Sequence, residues 1–154
     1  MKLLEPKYRK LMRMLAIPAA LIFVLAIVAM ATGAMALSYG GVAVDDAGRL
    51  YLGRGGKIEV YEDGQKVNVI APEVDKSFVF TIREGQLVLS TGKVVTTLDL
   101  QGNAVGSKTD EDGAVYKELK PLRRNFTAAD GTTYTLRHEM LAAQVTAEDG
   151  TVLY

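Results

Sequence analysis

The sequence predicts an all-β domain of antiparallel four-stranded meanders behind one N-terminal transmembrane helix. Three observations predict it: an uncharged run from Met14 to Leu37, short alternations of apolar and polar residues from Ser38 onward, and glycines that recur at matching places between those alternations. The division that follows is a short basic tail over 1–13, a transmembrane helix over 14–37 and a β-repeat domain over 38–154.

The uncharged run comes first. At 1.5 Å per residue it makes a helix of roughly 36 Å, enough for a hydrocarbon core of about 30 Å with some tilt. Met1 to Arg13 carries Lys2, Lys7, Arg9, Lys10 and Arg13 against Glu5, while the chain as a whole balances 18 basic against 18 acidic residues. The excess of Lys and Arg before the run places the N-terminus in the cytoplasm and the β domain outside the plasma membrane. Pro18 falls in the first helical turns, where its missing N–H costs least, and Tyr8 and Tyr39 lie near the two ends as interfacial anchors. A rival reading is a signal peptide cleaved after the "AMA" of Ala34 to Ala36. The uncharged stretch before Ala34 exceeds an ordinary signal-peptide core of about 7–15 residues, which favours an uncleaved anchor. Ala29 and Gly33 form a small-xxx-small pair of the kind that lets two helices approach.

The alternations come next. In "GVAVDDAGRLYLGRGGKIEVYEDGQKVNVI" the pairs Leu50 with Leu52, Ile58 with Val60 and Val67 with Val69 share faces by the period of two, and Lys57, Glu59 and Tyr61 point to a wetter face. The order of strand, turn, strand, turn, strand, turn, strand returns in "SFVFTIREGQLVLSTGKVVTTLDLQGNAVG" and again in "NFTAADGTTYTLRHEMLAAQVTAEDGTVLY". Gly48, Gly85 and Gly131 mark the first turn of each unit and Gly64, Gly102 and Gly150 the last, as tight hairpins that need positive φ require. The units run over about 41–70, 77–106 and 125–154.

The stretch "VAVDDAGRLYLGRGGKIEVYEDGQ" resembles a blade of NHL-type bacterial β-propellers. The second unit keeps "xEGQLVL" of that pattern and the third "ADGTTYTL". The resemblance implies blade-like sheets and leaves activity open, because such folds host enzymes, receptors and scaffolds alike. A blade takes about 40–45 residues and a closed propeller about four blades or more, whereas residues 38–154 number 117. Three resolutions stay open: an incomplete propeller with capped edges, a homodimer completing six blades, or a compact sandwich or barrel.

The segment "SKTDEDGAVYKELKPLRR" separates the second and third units and lengthens the spacing of their first turns from 37 to 46 residues. It is expected as a surface insertion in which "DEDG" turns into an extra edge strand, and insertions on repeat folds often carry binding. Its Asp110, Glu111, Asp112, Arg123 and Arg124 are therefore the candidate interaction residues. The three carboxylates do not fill a calcium loop, and an acidic solvated loop is the simpler reading.

Little catalytic chemistry is legible. Cysteine is absent, which removes disulfides, thiolate nucleophiles and cysteine-held metals. His138 is the only histidine, and its alignment with the middle turns of the other units reads as a hairpin residue. "GRGGK" lacks the spacing and context of a phosphate loop. Asp45 and Asp46 precede a turn glycine, where Asp is expected for local hydrogen bonding, and as strand neighbours they face opposite ways. Phe126 of "NFT" reads as a core position. The net acidity of 14–154 argues against a nucleic-acid partner.

The reading is thus a single-pass membrane protein whose extracytoplasmic β-repeat domain is an interaction or ligand-sensing module, without cofactor or metal. Its partners are the bilayer through 14–37 and an unidentified protein of the envelope. Its alternatives are an exported carbohydrate-active hydrolase or lyase, and a secreted binding protein.

Overall fold

The structure, a computed structural model, describes residues 6–31, 39–74, 77–139 and 142–154. The chain divides into two compact units, Met1–Ala36 and Leu37–Tyr154. The first holds helix α1 (Pro6–Ala31), with Pro18 inside it. Its described side chains, Leu15 to Ala29, include exposed Ile17, Leu21, Ile22, Phe23, Val24, Leu25, Ile27 and Val28, so no polar face interrupts them. Among the described residues no helix is long and apolar enough to cross a membrane. The remainder of the run expected to span, through Leu37, lies outside them.

The second unit is three separate antiparallel sheets. The first is β1 (Tyr39–Val44), β2 (Leu50–Arg54), β3 (Lys57–Glu62) and β4 (Gln65–Ile70), paired in that order. The second is β5 (Val79–Arg83), β6 (Gln86–Ser90), β7 (Val94–Leu98) and β8 (Ala104–Thr109), again in order. The third holds β9 (Asn125–Thr127), β10 (Thr133–Glu139) and β11 (Ala142–Ala147). Its expected fourth strand is reduced to one bridge, Thr146 to Val152, flanked by bonds from Leu153 N to Val145 O and from Val145 N to Tyr154 O.

Each sheet is open, and the first strands of the three meet. Strand β1 packs on β5 and on β9 and β10, and Val42, Ala43 and Val44 are all buried. Tyr61, which alternation places on the wetter face, is buried, and so is Tyr51, because neighbouring sheets cover both faces of the inner strands. Exposure grows outward: β4 is exposed along all but Ile70, so Val67 and Val69 leave the core that their period assigns them, and β8 is exposed throughout. One apolar cluster joins Leu50, Leu52 and Ile58 to Phe80 and Leu89 and to Phe126, Leu136 and Val145.

Glycine sets how closely the sheets approach. A Cβ on Gly41 would lie 2.7 Å from the carbonyl oxygen of Phe80, one on Gly40 would lie 2.9 Å from that of Phe78, and one on Gly53 would lie 2.8 Å from the Phe80 ring. Backbone therefore lies almost directly on backbone at the join of the first two sheets.

The expected insertion lies at the surface, with Glu111, Asp112, Lys117, Glu118 and Arg124 exposed, but it is helical and packs on the sheets through Leu119. Asp110 to Gly113 makes the same turn as Asp45 to Gly48, closed by the Gly N–H on the Asp carbonyl at 3.0 and 2.9 Å. The chain then continues as helix α2 (Ala114–Leu119) and a 3-10 turn (Lys120–Arg123), not as an edge strand. The Asp110 carboxylate accepts from Ala114 N at 3.0 Å, one of the N–H groups that a helix start leaves unpaired. Helix α2 packs on β5 and β6, and the 3-10 turn packs on β1, β5 and β9. Leu119 is fully buried, as are Val79, Ser90 and Val95, cross-strand neighbours in the second sheet. His138 lies in β10 opposite Ala143, not on a middle turn, because that hairpin turns later in the sequence.

Gly41→Ala should lower stability by about 2 kcal/mol through this overpacking. Gly106→Ala, where a Cβ meets nothing within 4 Å, should stay within about 0.5 kcal/mol of the parent. Urea midpoints of the two variants check the pair, and equal midpoints would contradict the account.

Candidate functional site

The first turn of every unit lies at the same end of the domain, since β1 and β5 run alongside each other from Gly40 and Phe78 toward Asp45 and Glu84. Between these turns is a cleft of about 520 Å³. Its apolar wall comes from Val44, Ile82, Leu100, Phe126 and Ala128, and its polar part from Asp45, Asp46, Arg49 and Glu84. All three sheets contribute.

Asp45 is buried beneath this opening and organises it. One carboxylate oxygen accepts from Ala47 N at 3.0 Å and Arg49 N at 2.9 Å. The other accepts from Arg49 Nε at 2.8 Å and from the Tyr51 hydroxyl at 3.2 Å. All of its partners are in its own hairpin, so Asp45 and Arg49 neutralise each other and hold the loop. Burial, followed by the Asp45 charge, pushes the Tyr51 phenol up to about 12. The Asp45 hydrogen bond raises the Arg49 guanidinium further.

Asp46 and Glu84 are different. Both are exposed on the cleft, and neither takes part in a hydrogen bond or ion pair among the described residues. Glu84 sits at φ 50° beside Gly85, in a two-residue hairpin where Asn, Asp or Gly is the favoured choice. A residue in that sparsely populated region at a cleft rim is a place to look for function.

Turn carboxylates elsewhere follow the Asp45 pattern. The Asn103 side chain and backbone N–H hold Asp99 below the usual carboxylate range, and the Thr132 and Thr151 backbone N–H groups do the same for Asp130 and Asp149. A second depression of about 410 Å³ lies between Asp130 and Thr132 on one side and Glu148 and Asp149 on the other. Among the described residues no group of three or more His, Asp or Glu side chains is arranged to hold a metal ion.

The residues expected from the insertion are not gathered at this cleft. Asp110 is buried and committed to the start of α2, whereas Glu111 and Asp112 are exposed, with the Asp112 carbonyl accepting from Lys117 Nζ at 2.9 Å. Arg123 and Arg124 lie at the far end of the helical segment, where the Arg124 carbonyl accepts from Leu136 N at 2.7 Å. Asp46 carries none of the local bonding expected of a turn Asp. The cleft residues were legible only in part: the positive-φ position of Glu84 follows from "REGQ", while the gathering of Leu100 and Phe126 depends on how the sheets pack.

No family model matches the chain, and no curated protein does. Among solved structures it is similar to a protein of unknown function from Bacteroides caccae, at 13% identity over 76% of this chain and 44% of that one, with a TM-score of 0.36. It is also similar to selenomethionine-substituted virginiamycin B lyase from Staphylococcus aureus, at 11% identity over 77% of this chain and 40% of that one, with a TM-score of 0.43. A streptogramin B lyase structure gives 9% identity, the same coverages of 77% and 40%, and a TM-score of 0.41. The chain spans less than half the length of each. Likenesses this distant carry nothing about activity, and the all-β architecture rests on the three sheets themselves.

Asp45→Ala should cost about 3 kcal/mol, because it strips the acceptors from Tyr51, Arg49 and two backbone N–H groups at once. Asp46→Ala should cost under about 0.5 kcal/mol. Denaturant unfolding of both distinguishes the neighbours. Above pH 10 the unfolded Tyr51 loses a proton that the folded one keeps, so stability falls as pH rises from about 10 toward about 12. Burial also raises Tyr39 and Tyr134, which adds in the same direction. Unfolding midpoints at pH 9 and pH 11 measure it, and a flat profile would contradict the buried placement.

Proposed function

We propose that this chain is a single-pass membrane protein whose NHL-like β-repeat domain lies outside the cell membrane and recognises a partner through the cleft between its first turns. Recognition, not bond chemistry, is its task, and it serves as an accessory subunit of an envelope complex. The observation that carries the reading is the cleft itself: three sheets separated in sequence place their first turns around one opening, with an apolar wall and two uncommitted carboxylates. Pockets of several hundred Å³ with an apolar lining and a few polar groups are the ordinary form of a recognition site.

Membrane anchoring is supported by the basic tail of 1–13 and by the absence of charge from Met14 to Leu37. The apolar side chains exposed around α1 agree with it, since a helix apolar all round needs an apolar surround. The uncharged part of α1, Met14 to Ala31, is a little shorter than the roughly 20 residues of a span, so the proposal rests on the uncharged sequence continuing to Leu37.

Because the chain has no cysteine, single introduced thiols report topology. In intact cells Thr151→Cys should react with a membrane-impermeant maleimide and Lys7→Cys should not. Labelling of both or neither, or an intact mass starting at Leu37, would overturn the anchor. A photo-crosslinking residue at Ala128, on the cleft, should join a specific neighbour that the same residue at Val105, on β8, does not. Equal yields at the two positions would remove the cleft as the recognition site.

A further inference from the structure

The six turns that close the first and last hairpins of each unit contain eight of the chain's 18 carboxylates: Asp45, Asp46, Asp63, Glu84, Asp99, Asp130, Glu148 and Asp149. Their one cation is Arg49, already tied to Asp45. Turn chemistry does not demand this. The β2–β3 turn at the other end is Gly55 and Gly56, and the β6–β7 turn carries Lys93; neither holds a carboxylate. Local bonding accounts for Asp45, Asp99, Asp130 and Asp149, and leaves Asp46, Asp63, Glu84 and Glu148 without a partner of that kind.

At the centre of this acidic end lies the apolar wall of Val44, Ile82, Leu100 and Phe126, with Asp46 and Glu84 on its rim. We propose that the cleft and its turns are a docking face for a basic polypeptide segment, with one apolar side chain of that segment seated on the wall and flanking Lys or Arg residues over the rim. This rests on the reading of the cleft as a recognition site and specifies what it recognises. Charge complementarity selects the partner: unpaired carboxylates around an apolar centre favour a cationic segment and repel an acidic one. Anchor and rim divide the work, the buried side chain supplying affinity and the charges supplying orientation and rate of encounter.

The test uses the full chain in a neutral detergent and three labelled pentapeptides followed by fluorescence anisotropy: Lys-Lys-Leu-Lys-Lys, its glycine-centred analogue and Glu-Glu-Leu-Glu-Glu. The leucine peptide should bind about tenfold more tightly than the glycine one, the acidic peptide should not bind, and affinity should fall as salt rises. The double variant Asp46→Asn with Glu84→Gln should weaken the leucine peptide about fivefold. Glu111→Gln with Asp112→Asn, the same charge change away from the cleft, should leave it unchanged. Equal affinity for the leucine and glycine peptides, or no effect of the rim variant, overturns the proposal. Displacement by hexylammonium at matching concentration assigns the cleft to a small cation, and self-association lost in the rim variant assigns it to a second copy; either overturns it. If no peptide binds while the crosslink from Ala128 persists, the recognition site stands and its basic partner does not. If both are absent, both fail.

Discussion

The near contact of two backbones, Gly40 and Gly41 of β1 against Phe78 and Phe80, is the constraint on which the rest of the domain depends. With any side chain at Gly41 the first two sheets would be held apart, and β1 would lose the burial that lets Val42, Ala43 and Val44 all be apolar. The same approach aligns β1 with β5, and that alignment carries the Asp45 and Glu84 turns to one end. The part of the cleft shared by the first two sheets is thus a consequence of residues that have no side chain at all.

Much of this was legible in the sequence, and the reasons for the rest are physical. The three units, their order of strands and the hairpin glycines followed from local rules, because a period of two and a positive-φ turn are properties of a few adjacent residues. The fate of Asp110 to Gly113 was not, since the same turn precedes β2 after Gly48 and α2 after Gly113. The next six residues differ: "AVYKEL" contains no glycine, whereas "RLYLGR" carries Gly53, a poor helix residue. Val67 and Val69 have the alternation of core residues yet lie on an outermost strand, and no local pattern distinguishes an outer strand from an inner one. Tyr61 fails in the opposite sense, covered in part by Tyr154 from far away in sequence.

Carboxylates in this domain fall into two populations that composition alone cannot separate. Asp45 and Asp110 are buried and hold loops together, whereas Asp46 and Glu111, their immediate neighbours or near neighbours in the same motif, face water. Within "DDAG" and "DEDG" the first residue is architectural and the next is free to serve recognition. Only the hydrogen bonds distinguish them.

The third sheet ends on the first. Tyr154 stacks edge-on against Tyr61 at 4.8 Å and 66°, and its hydroxyl accepts from Arg54 Nη1 at 3.2 Å. The first sheet also packs directly on the second, and the 3-10 turn touches the inner strand of every sheet. The first sheet and the 3-10 turn therefore tie all three units together. A row of repeats can fray from its ends, one unit at a time, with a stability close to the sum of neighbouring interfaces. Here the first sheet lies against both of the others within one apolar cluster, so loosening it exposes apolar surface on both, and the three units are coupled through it despite being assembled from repeats.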